Sequence, residues 1–263
     1  MLYPLPPNAD LRSTFEKFGD IKPHQLLLAT DFDGTLAPIV PEPAAARALS
    51  LSLVTLDRLV DLGVKVAVIS GRSQQDLRNL VPIAGVRLLG ENGIGEPTRL
   101  EAQALKRFNS IAGRVVVRQP GVWLEVKPGS TSIHFRQAPD AGPRLRAALL
   151  PAADDQGLVA GLGRMVIEVR ASRADKTRAL SVLLNGLESK AVIYAGDDEC
   201  DRGVFELLGR LALKHLSVGV CSREVPDDLM TRCDVGVKGP EAFALFLCGL
   251  LAWAIRHRGS DTS

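Results

Sequence analysis

The chain has 263 residues, of which 46% are hydrophobic and 24% are charged, and its formal net charge is +2. This length and composition are typical of a globular protein with one large domain or two modest ones, and they exclude collagen-like and disordered chains. No block of like charges is long enough to bind nucleic acid or a membrane surface, so we expect neither as a partner.

The cysteines indicate a reducing compartment, and the most apolar segment indicates a buried helix. Four cysteines lie far apart without a Cys-x-x-Cys pair, which argues against a disulfide framework and against a cysteine metal site. The N-terminus lacks the basic and apolar regions of a secretory signal, so we expect reduced thiols in a cytoplasm. The apolar run Ala242–Ile255 has 14 residues, which is too short to cross a bilayer, and it predicts a buried helix.

From residue 26 onward, short apolar runs alternate with amphipathic stretches. Continuous apolar runs of this length are typical of strands that are covered on both faces. Their alternation with helices predicts an α/β fold with a doubly wound parallel sheet. The runs are Leu26–Ala29, Val64–Ile69, Val86–Leu89, Ala191–Ala195 and Leu216–Val220.

Two helices are predicted between the first three of these strands. In Ala44–Leu62 the apolar residues recur at helical spacing, and Gly63 follows as a C-terminal stop. The Ser73-x-x-Asp76 pattern is typical of a helix that begins with a side-chain cap.

The middle of the chain, residues 106–172, has a different pattern. Polar and apolar residues alternate more strongly there, and Pro128-Gly129 supplies a turn signal. We interpret it as a smaller α+β insert with one helix at Arg144–Leu150, placed within a core made of residues 1–105 and 173–263. Its predicted strands are Val115–Val117, Val122–Val126, Ser132–Phe135 and Met165–Val169.

Small and charged residues follow four of the apolar runs of the core. Because the carboxyl ends of parallel strands share one edge of a sheet, where ligands bind, we expect these segments to converge on one site. The segments are Asp31-Phe32-Asp33-Gly34-Thr35-Leu36, Ser70-Gly71-Arg72, Gly90-Glu91-Asn92-Gly93 and Gly196-Asp197-Asp198-Glu199.

The aspartates of these segments would repel one another at that edge. Two carboxylates about 4 Å apart repel by about 4 kcal/mol at an effective dielectric constant of 20. Either raised pKa values or a cation would relieve this repulsion. Mg²⁺ fits, because it takes one or two carboxylates and leaves room for waters and a phosphate.

The Asp31-x-Asp33 spacing suits phosphoryl transfer. In an extended chain both carboxylates point to the same side, so one can attack phosphorus while the other reaches the leaving oxygen. Gly34 allows a sharp turn, and the Thr35 hydroxyl can steady the loop. An ordinary turn is the alternative for these residues alone, whereas a calcium loop fails because Leu36–Ile39 offers no side-chain ligands.

These segments and Lys176 resemble the ordered motifs of the haloacid dehalogenase superfamily of phosphotransferases. Three further segments resemble one family within it, the trehalose-6-phosphate phosphatases. They are Leu124–Arg136, Gly163–Arg170 and Gly196–Phe205. The likeness extends from Leu27 to about Leu250, and it implies a haloacid dehalogenase-like core with a cap domain.

The resemblance implies a role for each matching residue. Asp31 is then the nucleophile that forms an aspartyl-phosphate, and Asp33 is the acid that protonates the sugar oxygen and afterwards activates water. Ser70 and Lys176 hold the phosphoryl group. The implied Mg²⁺ site consists of Asp31, the backbone carbonyl of Asp33, and Asp197, with Asp198 in support.

Sugar recognition is expected mainly in the cap. Glu125 and Lys127 are two residues apart, as are His134 and Arg136, so each pair shares a strand face. Without the resemblance, a solvated and charge-paired sheet face explains these residues as well. The residues that we expect to bind substrate are Gly71, Arg72, Glu91, Asn92, Glu125, Lys127, His134, Arg136 and Glu168.

Four residues, in three segments, depart from the family pattern. Asn92 stands where the family usually has His, Cys200-Asp201-Arg202 where it tends to have Thr-Asp-Glu, and Thr177 where Gly often follows the lysine. The departures at Asn92, Cys200 and Arg202 leave open which sugar is bound.

The expected reaction is Mg²⁺-dependent hydrolysis of trehalose 6-phosphate to trehalose and phosphate, with a cognate sugar-phosphate synthase as partner. A phosphatase for another phosphorylated disaccharide, a pseudo-disaccharide or a glycosyl-phosphoglycerate is the enzymatic alternative. A catalytically idle homologue that binds a sugar phosphate is the alternative of a different class, and the intact catalytic set argues against it.

Overall fold

The computed structural model describes residues 11–93, 98–163, 165–171, 176–221 and 233–258. The chain forms two compact units, a core unit of Met1–Gly93 with Asp175–Ser263 and an insert unit of Ile94–Ala174. The insert unit thus begins earlier than residue 106, where the sequence pattern places its start. The difference arises because a helix over Arg99–Val116 packs on the sheet of the insert unit.

The core unit contains a six-stranded sheet in which every strand runs parallel to its neighbours. In chain order its strands are β1 (Leu26–Thr30), β2 (Lys65–Ile69), β3 (Arg87–Leu89), β8 (Ala191–Gly196), β9 (Lys214–Cys221) and β10 (Val235–Lys238). Their order across the sheet is β10-β9-β8-β1-β2-β3. The strand β10 was not predicted from the sequence.

Helices cover both faces of this sheet. Alternate residues of β1 point to opposite faces, so that Leu28 belongs to one buried cluster and Leu27 to another. The prediction of a doubly wound parallel sheet is therefore confirmed. The helices that the structure describes in the core unit are α1 (Leu11–Glu16), α2 (Ser50–Asp61), α3 (Gln74–Leu80), α6 (Lys176–Leu187), α7 (Arg202–Leu208) and α8 (Gly239–His257).

Both helices predicted between the first strands are present. The helix α2 begins at Ser50 rather than at Ala44, because a short 3-10 turn occupies Pro43–Ala45. The Ser73 hydroxyl accepts a hydrogen bond from the Asp76 backbone N–H at 3.0 Å, which confirms the predicted cap of α3.

The insert unit has a four-stranded antiparallel sheet with the order β4-β5-β7-β6. Two helices, α4 (Arg99–Val116) and α5 (Gly142–Asp154), pack on one face of it. This arrangement confirms the predicted α+β character of the insert. Its strands are β4 (Trp123–Val126), β5 (Ser130–His134), β6 (Val159–Gly163) and β7 (Val166–Arg170).

One strand predicted in the insert was wrong. Residues 115–117 do not form a strand, because they lie at the end of α4 and directly after it. This helix starts at a capping box between Thr98 and Glu101, and it buries Leu105 and Phe108 on one side. Helical burial of that face outweighs the strand preference of consecutive valines.

The apolar segment near the C-terminus forms α8, which is longer than the predicted run. Among the helices that the structure describes, α8 is the one that is long and apolar enough to cross a membrane. One of its faces is buried in the core unit, where Phe246 contacts Phe15 with ring centroids 5.2 Å apart and Trp253 lies edge-on to Phe18. The buried face thus acts as a core element, as the sequence predicts.

Two leucines of α8 provide a matched test of this packing. Leu247 is fully buried, whereas Leu245 is 60% exposed. We expect Leu247→Ala to lower the free energy of unfolding by about 2–5 kcal/mol, because it removes buried contacts and leaves a cavity. Leu245→Ala should change it by no more than about 0.5 kcal/mol. Urea unfolding followed by circular dichroism measures both, and equal losses would contradict this placement of the helix.

Candidate active site

Loops that follow four neighbouring strands meet at one edge of the core sheet. The backbone N–H of Asp31, after β1, donates to the carbonyl of Ala195 on β8 at 2.8 Å. After β3, the Asn92 N–H donates to the Ser70 carbonyl at 2.7 Å, and the Glu91 N–H donates to the Arg72 carbonyl at the same distance. Segments that are distant in the chain therefore converge as predicted from the strand pattern.

The turn after Asp31 packs tightly against the loop after β8. Gly34 has a φ of +76°, and a Cβ atom at this position would lie 1.9 Å from Oδ2 of Asp197. The Thr35 hydroxyl donates to Oδ1 of the same aspartate at 3.2 Å. The glycine therefore permits a close approach that any side chain would prevent.

Lys176 is the first residue of α6, and its ammonium lies between two buried carboxylates. Its Nζ donates to Oδ2 of Asp31 at 2.6 Å and to Oδ1 of Asp201 at 2.7 Å. The side chains of all three residues are buried. Burial alone lowers the pKa of Lys176, but the two carboxylates outweigh this effect and raise the pKa above its usual value. The two carboxylates therefore favour the charged form of the lysine.

Asp201 is a central residue of the site that the sequence analysis did not single out as functional. Besides Lys176, it accepts a hydrogen bond from the Tyr194 hydroxyl at 2.6 Å on Oδ1. Its Oδ2 accepts from the backbone N–H groups of Asp197 and Asp198, each at 3.0 Å. The signal that could have identified it is its spacing, because a carboxylate three residues after a paired aspartate reaches back to the strand end.

The structure places Asp198 outside the buried acidic cluster. Its side chain is exposed, and Oδ1 accepts a hydrogen bond from the Glu199 N–H at 2.6 Å, so it caps the following turn. The acidic cluster among the described residues consists of Asp31, Asp197 and Asp201, with one oxygen of each within 4.8 Å of the others.

The electrostatics of this cluster favour a cation. Burial raises the pKa of Asp31 to about 7, with Lys176 opposing the shift and Asp201 adding to it. Burial also raises the pKa of Asp197 to about 8, and the charges of Asp31 and Asp201 add to this shift. A cation would stabilise both ionised carboxylates, and the all-oxygen donor set suits a hard divalent ion.

Asp33 lies beside this cluster and pairs with Arg72. The guanidinium binds the carboxylate in bidentate fashion, with Nε to Oδ2 and Nη2 to Oδ1 both at 2.7 Å. The same Nη2 donates to the Pro43 carbonyl, and the guanidinium lies 5.2 Å from the ring centroid of Phe32. Arg72 therefore holds the half-exposed Asp33 side chain in a defined orientation.

The remaining predicted residues of the core unit line the loops after β2 and β3. Ser70 is buried, and its Oγ accepts from the Arg72 N–H at 3.2 Å. Glu91 and Asn92 are also buried and adopt left-handed backbone conformations, with φ of 52° and 57°. Asparagine tolerates this conformation better than most residues, which suits it to the turn. The Asn92 amide lies next to Gly71.

In the insert unit, the structure joins three of the predicted residues in one polar cluster on the sheet. Glu125 pairs with two side chains. Its Oε2 lies 3.0 Å from Nε2 of His134, and its Oε1 lies 3.4 Å from Nζ of Lys127. The indole of Trp123 stacks on the His134 ring with centroids 4.0 Å apart, and it is half exposed. This aromatic contact was not predicted.

The other two predicted residues of the insert unit lie outside that cluster. Glu168 on β7 is opposite Ser132, which is itself opposite Glu125, and it pairs with Arg170 on its own strand. Arg136 follows β5 and is exposed. The polar face of this sheet thus carries carboxylate, ammonium, imidazole and indole groups.

Comparison with known proteins identifies the family. Residues 29–231 match the trehalose-phosphatase family. The bifunctional trehalose-6-phosphate synthase/phosphatase of Thermoproteus tenax is 33% identical over 201 residues, which cover 71% of this chain and 28% of that protein. Trehalose-phosphate phosphatase B of Arabidopsis thaliana is 26% identical over 270 residues, which cover 91% of this chain and 70% of that protein.

Solved structures share the fold. The trehalose-6-phosphate phosphatase of Aspergillus fumigatus superposes with a TM-score of 0.69 at 22% identity, covering 93% of this chain and 98% of that chain. A haloacid dehalogenase-like hydrolase from Bacteroides thetaiotaomicron superposes with a TM-score of 0.58 at 15% identity, covering 85% of this chain and 98% of that chain. With its haloacid dehalogenase-like fold and a family match over most of its length, the chain belongs to the trehalose-phosphatase family, a family of phosphoric monoester hydrolases.

Proposed function

We propose that this chain hydrolyses trehalose 6-phosphate to trehalose and phosphate through an aspartyl-phosphate on Asp31. The observation that carries the proposal is the buried carboxylate of Asp31, held at 2.6 Å by the Lys176 ammonium at the carboxyl edge of the sheet. A carboxylate next to a fixed positive charge can attack a phosphate dianion that would otherwise be repelled. Membership of the trehalose-phosphatase family supports the choice of substrate.

The metal in this proposal is Mg²⁺, held by Asp31, Asp197 and the backbone carbonyl of Asp33. The raised pKa values of both carboxyls and their oxygen-only surroundings support a hard divalent cation. When bound, the ion supplies positive charge that offsets the acidic cluster and the substrate phosphate. Asp198, exposed and engaged in a cap, would act only indirectly on this site.

The first half of the proposed reaction is transfer of the phosphoryl group to the protein. A carboxylate oxygen of Asp31 forms a bond to phosphorus as the bond from phosphorus to the sugar oxygen breaks. Asp33 gives its proton to that sugar oxygen, which leaves as the hydroxyl of trehalose. Lys176 and Ser70 hold the phosphoryl oxygens by hydrogen bonds.

The second half releases phosphate. Asp33, now ionised, takes a proton from a water molecule whose oxygen attacks phosphorus, and the bond between phosphorus and Asp31 breaks. The carboxylate of Asp31 and the protonated form of Asp33 are then restored. We propose that Arg72 orients the ionised Asp33 for this second step, because its guanidinium donates a hydrogen bond to each carboxylate oxygen. Gly71, Glu91 and Asn92 would line the adjacent part of the site.

Sugar recognition is proposed for the polar face of the insert unit, which would act as the cap. Glu125, Lys127, His134, Arg136 and Glu168 offer the donors and acceptors that sugar hydroxyls need. We further propose that a synthase supplies the substrate, since the relative from T. tenax is by name both a synthase and a phosphatase. The four free cysteines agree with a reducing compartment such as the cytoplasm.

Replacement of the nucleophile tests the chemistry. We expect Asp31→Asn to lower kcat at least a hundredfold, because the amide has nearly the same shape but cannot attack phosphorus. Phosphate release from trehalose 6-phosphate measures the rate, and Asp57→Asn on the exposed face of α2 is the matched control. If Asp31→Asn retained more than about a hundredth of the rate, the mechanism would be wrong. Faster turnover of another phosphorylated disaccharide by the unaltered chain would reassign the substrate.

The metal site predicts a stability that depends on both pH and Mg²⁺. Burial raises the pKa values of Asp31 and Asp197 from 3.8 to about 7 and about 8. Without metal, their stabilising contribution is therefore fully present below pH 3.8 and is lost progressively as the pH rises from there to about 8. Mg²⁺ should reverse that loss by pairing with the ionised carboxylates. We therefore expect Mg²⁺ to raise the Tm, relative to EDTA, more at about pH 8.5 than at about pH 6.

Differential scanning calorimetry measures these four Tm values. At each pH, the Tm in EDTA is subtracted from the Tm in Mg²⁺, which removes the effect on the Tm of other groups that titrate. The Asp197→Asn variant is the control, since it should lose most of the Mg²⁺ effect at both pH values. An effect of the ion that is equal at both pH values, or that survives in the variant, would show that Mg²⁺ binds elsewhere.

Two substrates separate sugar binding from phosphate chemistry. Lys127→Ala should lower kcat/KM for trehalose 6-phosphate by roughly tenfold to a hundredfold, because a polar group of the sugar loses its partner at a cost of about 1–3 kcal/mol. The same variant should change hydrolysis of a small aryl phosphate much less. Lys106→Ala on the exposed face of α4 is the matched control. Equal losses on both substrates would assign Lys127 to folding or to phosphate binding instead.

A further inference from the structure

We propose that Trp123 is a stacking residue for a pyranose ring of the substrate, and that its indole forms an aromatic subsite on the polar face of the insert unit. This inference rests on the proposed function, because it requires that the substrate is a sugar phosphate. It concerns the selection of the sugar, whereas the transfer of the phosphoryl group is proposed for the core unit.

The indole of Trp123 offers a large apolar surface to a ligand. Its side chain is 50% exposed, and it belongs to β4, which lies at the edge of the sheet next to β5. The other tryptophan of the chain, Trp253, is 1% exposed. Tryptophan is highly buried on average, because its ring system is the largest apolar group that a protein can bury. The exposed half of Trp123 is therefore apolar surface that a ligand could cover.

The indole stands on the same face of the sheet as the polar cluster. Residues two apart in a strand point to one face, so Trp123 and Glu125 share it. The register places Trp123 opposite His134, and their rings stack with centroids 4.0 Å apart and an interplanar angle of 13°. His134 thus covers one face of the indole, and the exposed half includes the opposite face.

The groups around Trp123 fix the indole before a ligand binds. The imidazole of His134, which supports the indole, has its Nε2 3.0 Å from Oε2 of Glu125. The other oxygen of Glu125 lies 3.4 Å from Nζ of Lys127. A rigid aromatic surface of this kind loses little conformational entropy when it binds a ligand.

A pyranose ring matches both parts of this face. Its hydroxyl groups project from the ring edge and can bond to Glu125 and Lys127. Its C–H groups carry a slight positive charge, which the negative face of an aromatic ring attracts. Trp123 and Glu125 are about 7 Å apart along the strand, so one sugar ring could contact both. A phosphate group, by contrast, would gain nothing from the negative face of an indole.

The first test compares two substitutions of Trp123. We expect Trp123→Ala to lower kcat/KM for trehalose 6-phosphate roughly tenfold, because the sugar loses its stacking surface, and Trp123→Phe to lower it less than about threefold. Neither variant should change kcat/KM for a small alkyl phosphate, which has no ring to stack, by more than about twofold. Val126→Ala is the matched control, since this residue of β4 is 60% exposed and points to the opposite face.

The second test detects contact with the sugar without using activity. Because Trp253 is buried, quenching of tryptophan fluorescence by acrylamide reports mainly on Trp123. The Asp31→Asn variant, which we expect not to turn over, keeps trehalose 6-phosphate intact. Saturation with this sugar phosphate should lower the quenching constant at least about twofold, because the sugar covers the exposed face of the indole. Inorganic phosphate should not change it, and adding Trp123→Phe should abolish the response.

Three results would overturn the inference. They are a kcat/KM of Trp123→Ala within about twofold of the unaltered chain, equal losses on the sugar phosphate and the alkyl phosphate, and an unchanged quenching constant when isothermal titration calorimetry shows that the sugar phosphate is bound. Circular dichroism checks the fold of each variant. If Trp123→Ala does not fold, the quenching experiment decides, since it keeps the indole.

The proposed function can fail separately from this inference. If the unaltered chain hydrolyses another phosphorylated disaccharide but not trehalose 6-phosphate, the proposed substrate is wrong, and the same measurements with that disaccharide decide the role of Trp123. If it hydrolyses the alkyl phosphate and neither hydrolyses nor binds a sugar phosphate, the stacking role of Trp123 falls, while phosphoryl transfer by the core unit stands.

Discussion

The buried ammonium of Lys176 is the constraint on which the rest of the site depends. A lysine this far from water is stable only when anionic groups surround it, and Asp31 and Asp201 do so at 2.6 and 2.7 Å. The two carboxylates, in turn, could not lie so close together without the positive charge between them. Each of the three groups therefore requires the other two. This requirement determines the positions of the carboxyl ends of β1 and β8 and of the start of α6.

The parallel sheet satisfies this constraint because neighbouring strands end at one edge. Asp31 follows β1 and Asp197 follows β8, and these strands are adjacent in the sheet although they are distant in the chain. Small residues make the approach possible. At Gly34 and at Gly196 a side chain would collide with a functional carboxylate, so both glycines are needed where loops cross. Even with Lys176 present, the cluster retains carboxyls of raised pKa, and a cation at this position would stabilise their ionised forms.

The insert unit presents a different chemistry from the core. Its sheet buries Ile133, Ile167 and Val169 against two helices, and the opposite face carries charged and aromatic groups. Alternation along antiparallel strands explains this division, because successive side chains point to opposite faces. Glu125 is paired with both Lys127 and His134, which orders three polar side chains before any ligand binds. Such ordering would lower the entropic cost of binding the sugar that we propose for this face.

The sequence by itself determined the fold class and the strands of the core sheet other than β10, because continuous apolar runs are a local pattern of strands buried on both faces. It also determined the convergence of Asp31, Ser70, Asn92 and Asp197, because polar residues that follow parallel strands meet at one edge of the sheet. The strand predicted at Val115–Val117 was wrong, because burial of one face of α4 outweighed the β-propensity of the valines. Only the tertiary structure decided that Asp201, rather than Asp198, completes the buried cluster. Both are aspartates in one short segment, and which of them turns inward depends on donors from Lys176 and Tyr194, whose positions are set by other elements of the fold.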